Sequence, residues 1–114
     1  MDRFVIEGGA RLSGTLKVDG SKNAALPLMA ASLLADEDFI LRNVPDLSDI
    51  RSMKALLAEL GVEQAELSDE CWRARVKDPS KRHAPYDMVS TMRASICVLG
   101  PLVARRQKAR VSMP

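Results

Sequence analysis

Gly20-Ser21-Lys22-Asn23-Ala24-Ala25-Leu26-Pro27-Leu28-Met29-Ala30-Ala31-Ser32-Leu33-Leu34-Ala35 is the stretch on which the fold turns. Gly20-Ser21 interrupts a strand-like pattern, Ser21 offers the side-chain oxygen of an N-cap, and the Ala, Leu and Met residues that follow favour a helix. The composition predicts a helix from Lys22 to Ala35. No residue from Asn23 to Ala35 is ionised. A helix with no polar side is one that is buried all round.

Working outward, Asp38 to Val44 reads as a strand that stops at Pro45. Leu47, Ile50, Met53, Leu56, Leu57 and Leu60 then recur at helical spacing and end at Gly61. Val62 to Leu67 and Trp72 to Val76 read as short strands around the acidic turn Ser68-Asp69-Glu70, followed by a polar connector from Lys77 to Pro85. A third helix is predicted over residues 87–105, with Met88, Met92, Ile96, Leu99 and Val103 along one stripe. Its opposite side, Ala94, Cys97, Val98, Pro101 and Ala104, is equally apolar. A strand is expected from Arg110 to Met113. At the other end, Phe4 and Ile6, then Leu12, Leu16 and Val18, flank Gly8-Gly9 and read as a hairpin. The class is α/β, without a Rossmann glycine fingerprint or a P-loop. Two helices lacking a charged face suit an architecture in which sheets enclose the helices.

At 114 residues, with 46% hydrophobic and 28% charged residues, the chain has the composition of one soluble domain. Its longest charge-free runs, 13 residues from Asn23 and 11 from Ala94, fall short of the roughly 18 needed to span a bilayer. No membrane helix is expected. The acidic, weakly apolar start Met-Asp-Arg-Phe-Val-Ile-Glu is unlike a signal peptide, which makes the cytoplasm the expected location. Cys71, Cys97 and His83 are too few for a zinc site, so free thiols and no metal are expected. Residues 1–80 hold 10 bases and 14 acids, whereas residues 81–114 hold 7 bases and 1 acid. Nucleic acid is not the expected partner of that basic tail, because aromatics are 4% of the chain and no stacking motif accompanies the bases.

Three residues stand out for chemistry. Lys22 would bring its ammonium to a helix N-terminus, where free N–H groups and the positive dipole end favour an anion. It can equally be a solvated lysine. Asn23 offers both donor and acceptor for a polar ligand or for a local cap. Pro27 lacks the N–H that would pair with the Asn23 carbonyl. Arg93 is the only ionised side chain between Asp87 and Arg105. A buried guanidinium needs an anionic partner, either Asp87 or Asp49 within the chain or a carboxylate or phosphate held bidentately. Cys97 reads as a small buried hydrophobe rather than a nucleophile. No base stands beside Cys71, and His83 reads as solvated.

The ordered segments Gly20 to Pro27, Asn43-Val44-Pro45 with Leu47-Ser48-Asp49, Pro85-Tyr86-Asp87, Met92-Arg93-Ala94-Ser95 and Gly100 to Arg105 resemble the enolpyruvyl transferase family over essentially the whole chain. Lys-Asn after Gly-Ser, and the Met-Arg-Ala-Ser block, are similar to the cell-wall branch that acts on UDP-N-acetylglucosamine. The relative that makes 5-enolpyruvylshikimate 3-phosphate typically has Gly-Ser-Lys-Ser and is the weaker alternative.

The resemblance implies a two-domain enzyme, each domain an inside-out α/β barrel of βαβαββ units, incomplete in this chain. Residues 1–21 would form a hairpin packing on the second domain, and residues 22–114 part of the first. The implied substrates are phosphoenolpyruvate, contacted by Lys22 and Asn23, and UDP-N-acetylglucosamine, contacted by Arg93. Lys22 is also implied in catalysis. No cofactor is implied. The general acid, a loop Cys or Asp, is expected beyond Pro114, so this chain alone would be inactive or would need the missing C-terminal part as a partner. A non-catalytic anion-binding or interaction fragment is the other reading.

Overall fold

The computed structural model describes residues 1–113. Helix α1 spans Lys22–Ala31 and passes into a 3₁₀ turn at Ser32–Leu34. Then follow β1 (Phe39–Arg42), α2 (Ser48–Glu59), β2 (Val62–Ser68) and β3 (Cys71–Val76). The second part contains β4 (His83–Ala84), α3 (Tyr86–Val89), a 3₁₀ segment at Arg93–Val98, α4 (Leu99–Arg106) and β5 (Arg110–Val111). The class is mixed α/β, as the patterning indicates.

Strands β1, β3 and β2 form an antiparallel sheet in that order, with β3 in the middle. Trp72 and Ala74 on β3 are fully buried while Arg75 is exposed, the alternation of a strand with one face on a core. Trp72 lies opposite Leu41 of β1 and Glu66 of β2, and meets Phe39 edge-on at 6.4 Å between ring centroids. Its Nε1 donates to Gln64 Oε1 at 3.0 Å, and Gln64 Nε2 donates to the Lys54 carbonyl at 2.8 Å. The tryptophan thereby ties the sheet to α2. The charged face of the sheet carries Arg73 and Arg75, which pair with Asp38.

Ile50, Met53, Leu56 and Leu57 form the buried stripe of α2, which ends where Gly61 takes φ +82°. A Cβ at Gly61 would lie 2.1 Å from the Asp78 carbonyl oxygen. The Gly61 carbonyl in turn accepts from Lys77 and Asp78 N–H, closing the sheet's end onto the helix.

Four expectations are corrected. The hairpin over residues 1–21 does not form: residues 1–20 hold no strand, and Phe4, Ile6, Leu12, Leu16 and Val18 are exposed. A two-stranded ribbon with nothing to pack on is marginal in water. Helix α1 is not buried all round. Ala25, Leu26, Met29 and Ala30 face the core, but Pro27 and Leu28 are exposed because α2 and the 3₁₀ segment Arg93–Val98 cover one side only.

The third helix is not continuous over 87–105. The Ser95 hydroxyl donates to the carbonyls of Met92 (2.6 Å) and Val89 (3.4 Å), while Met92 N–H bonds Val89 and Ser95 N–H bonds Met92 in 3₁₀ fashion. Those two carbonyls would serve the N–H groups of Ile96 and Arg93 in an α-helix, so the serine competes with helix continuation. Pro101, which has no N–H, then sits in the first turn of α4. The buried side of this region is Val89, Met92, Ser95, Val98, Leu102 and Arg106, and Ile96, Leu99 and Val103 of the expected stripe are exposed. Last, the connector 77–85 contains β4, which pairs in parallel with β5. The strand expected over Arg110 to Met113 is confined to Arg110–Val111, and Pro114 lies outside the described residues.

Replacing Gly61 with Ala should lower unfolding stability by about 1–3 kcal/mol, because the left-handed φ and the Asp78 contact are both lost to a side chain. Trp72→Ala should cost about 3–5 kcal/mol. Urea denaturation measures both, and a wild-type midpoint in either variant would contradict the assignment.

Candidate functional site

The site is built at the mouth of α1. Ser21 caps the helix as expected: its Oγ accepts from Ala24 N–H at 3.3 Å, and its carbonyl accepts from Ala25 N–H at 2.9 Å. The N–H groups of Lys22 and Asn23 have no intrahelical acceptor. Gly20 makes this placement possible, since a Cβ there would lie 1.6 Å from the Asn43 carbonyl oxygen. The end of β1 and the start of α1 therefore touch backbone to backbone.

Lys22 and Asn23 are both exposed at that mouth. Lys22 Nζ donates to Asp49 Oδ2 at 2.8 Å, with the two side chains 43% and 33% exposed. Asp49 stands in the first turn of α2, and α1 packs directly on α2. The ammonium is thus aimed across two helix N-termini. An ion pair this exposed contributes about 0–1 kcal/mol, which leaves the ammonium available to a competing anion. Pro27 lies within α1 on its exposed side.

Arg93 opens the 3₁₀ segment that packs against α1. It is exposed, and among the described residues it forms no ion pair. The expectation of a buried guanidinium paired to Asp87 or Asp49 is corrected: solvent bears the charge, and Asp49 holds Lys22 instead. The structure thus sets Lys22, Asn23 and Arg93 on adjoining elements without any bond between Lys22 and Arg93. Cys97 and Cys71 are half-buried free thiols, and His83 is exposed. Among the described residues no three His, Cys, Asp or Glu side chains gather as a metal site, and no helix is long and apolar enough to cross a membrane.

The buried arginine is Arg106, 4% exposed, which the sequence reading missed. Its Nη1 donates to the carbonyl of Leu60 at 2.7 Å and to that of Lys81. Burial pushes its pKa below the usual arginine value, partly offset by Asp78. The signal lay in the spacing Val98, Leu102, Arg106, four residues apart on one helix face. Asp78 is held below its ordinary 3.8 by Ser80, whose hydroxyl and N–H both donate to Oδ1, at 2.5 and 3.0 Å.

For Lys22 and Asp49, single alanine substitutions and the double one should give a coupling of about 0.2–1 kcal/mol. The fold should be intact by circular dichroism. A coupling near 3 kcal/mol would mark a structural ion pair instead of an available cation.

The family described as EPSP synthase (3-phosphoshikimate 1-carboxyvinyltransferase) matches residues 6–114. Relatives named UDP-N-acetylglucosamine 1-carboxyvinyltransferase are 49% identical in Acinetobacter guillouiae, 50% in Anaeromyxobacter sp. (strain K) and 52% in Maricaulis maris (strain MCS10). Each alignment covers all of this chain but 27%, 28% and 27% of the relative respectively. The chain therefore spans little more than a quarter of their length. Among solved structures, the enolpyruvyl transferase NikO from Streptomyces tendae superposes with a TM-score of 0.68 at 24% identity, over 86% of this chain and 23% of that one. That likeness concerns the fold. With a family match over nearly its whole length and the same fold as a solved enolpyruvyl transferase, the chain belongs to the EPSP synthase family.

Proposed function

We propose that this chain is the N-terminal part of a UDP-N-acetylglucosamine 1-carboxyvinyltransferase, which transfers the enolpyruvyl group of phosphoenolpyruvate to the sugar 3-hydroxyl as the first committed step of peptidoglycan synthesis. The observation that carries this reading is the roughly even identity, 49% over all 114 residues, to relatives of that name. The local geometry supports it, because Lys22 and Asn23 stand exposed at a capped helix mouth suited to a phosphate. The helices α1 and α4 with apolar exposed sides fit partial coverage by further βαβαββ units of an inside-out barrel. Residues 1–21 would pack on the second domain.

In this reaction the 3-hydroxyl gives up its proton to a base and its oxygen bonds to C2 of phosphoenolpyruvate, while a general acid protonates the methylene carbon as the C2–C3 double bond opens. A proton then leaves that carbon, the C–O bond to phosphate breaks, and the enolpyruvyl ether and inorganic phosphate result. Lys22 would exchange Asp49 for the phosphate and hold the negative charge that grows on it as it leaves. Asn23 would orient phosphoenolpyruvate, and exposed Arg93 would meet UDP-N-acetylglucosamine. The general acid and the second wall of the cleft would come from the remaining three quarters of the enzyme.

The 114 residues alone should release no phosphate from phosphoenolpyruvate and UDP-N-acetylglucosamine, since one domain of a two-domain cleft cannot close. In a chain completed to the relatives' length, Lys22→Ala should weaken phosphoenolpyruvate by about ten- to a hundred-fold. Turnover should fall further, because the contact strengthens in the transition state. Calorimetry and steady-state kinetics measure this, with melting temperature as the control. Unchanged affinity and turnover in a normally folded variant would return Lys22 to a solvated lysine.

A further inference from the structure

A second cationic centre lies away from the mouth of α1, where α4 ends. Arg106 is nine-tenths buried, its Nη1 is taken by two main-chain carbonyls, and its Nη2 is buried with no partner. No carboxylate lies within ion-pair distance of it among the described residues. Asp78 acts on it through its charge without forming an ion pair, and Asp78 Oδ1 accepts from both donors of Ser80. Arg105 on the same turn is engaged with Asp36.

Arg106 lines two adjoining cavities. One, of about 420 Å³, is bounded by Pro79, Ser80, Arg82, Arg105, Arg106 and Gln107 and carries no acidic side chain. The other, of about 220 Å³, lies on the Leu33 and Val76 side. A buried guanidinium without a counter-ion is costly. The carbonyl end of the α4 dipole offsets part of that cost for a cation in the last turn, but it supplies no full negative charge. Ser80 is committed to Asp78 and Arg105 to Asp36, which leaves the guanidinium groups of Arg82 and Arg106 in this cavity as the complement to a compact, multiply charged oxyanion.

We propose that the cavity bounded by Ser80, Arg82, Arg105 and Arg106 is an anion site for a phosphate group, free or on a small phosphomonoester. This site is separate from the helix mouth that bears Lys22 and does not depend on the enzymatic reading above. The entering phosphate supplies counter-charge to Arg82 and Arg106, which both line the cavity. It also fastens the end of α4 to the connector that leads into β4.

The test is ¹⁵N NMR of the 114-residue chain titrated with sodium phosphate, and separately with glycerol 3-phosphate, at constant ionic strength held with chloride. Saturable shifts at Ser80, Arg82 and Gln107 are expected with an affinity on the order of millimolar. Saturation by both probes identifies the bare phosphate group as the ligand, and saturation by one alone identifies which source the site takes. Arg82→Ala, on an exposed position, should weaken the affinity by about ten-fold, whereas Lys22→Ala should leave it unchanged. Arg106→Gln should abolish the shifts, but it also removes the Leu60 and Lys81 tie, so Arg82→Ala is the deciding variant. Shifts that stay linear with concentration, that chloride reproduces, or that persist unaltered in Arg82→Ala would overturn the proposal and leave Arg106 as a main-chain clamp with a buried water on Nη2.

Discussion

The three-stranded sheet and α2 are arranged around Trp72. It occupies the middle strand of a three-stranded sheet, so its side chain contacts the core from the one position flanked by strands on both sides. A buried indole must place its N–H, and here it does so through Gln64, which passes the constraint on to the Lys54 carbonyl of α2. One ring therefore fixes the register of β2 against β3 and the height of α2 over the sheet. A slip of one residue would turn Trp72 outward and bring the Arg73 side chain into the core.

The placement of α2 has a consequence for chemistry at α1. Asp49 rides in the first turn of α2, and it is this carboxylate that receives Lys22. The other anchor is the backbone contact of Gly20 with Asn43, which no residue with a Cβ could make. The lysine is held between a sheet end and a neighbouring helix, yet both ends of its ion pair remain in water. Such a pair positions the ammonium without binding it tightly. A phosphate that carries more charge than this one carboxylate would compete with it for the ammonium.

How much of this was legible depended on the range of the interaction. The cap at Ser21, the α2 stripe ending at Gly61 and the strands β2 and β3 follow from local pattern, and each appears where the spacing places it. Lys22 at the helix mouth was legible for the same reason. The break after Val89 was not, because hydropathy treats Ser95 as a neutral residue in an apolar run, whereas its hydroxyl captures two carbonyls and diverts the backbone into a 3₁₀ path. Arg93 was misjudged as a direct result: a continuous apolar helix would bury it, but a segment restarted at residue 93 leaves it at an exposed first turn. Strand β4 escaped because two residues in a polar connector carry no periodicity, and their pairing with β5 is decided from across the α4 crossover.

Arg106 shows the same physics applied at a different position. The rule that a buried guanidinium needs partners holds, but the partners are carbonyls at the end of α2 and in the connector, 46 and 25 residues away in sequence. Neutral carbonyls satisfy hydrogen bonds without neutralising charge, so the second half of the chain, β4 through β5, is fastened to the first by a cation whose field Asp78 offsets only in part. A carboxylate at this position would have completed the pair and closed the site. Using the main chain instead makes the joint between the two halves mechanically complete and electrostatically open, which is why an anion arriving from solvent would strengthen the same joint that Arg106 forms.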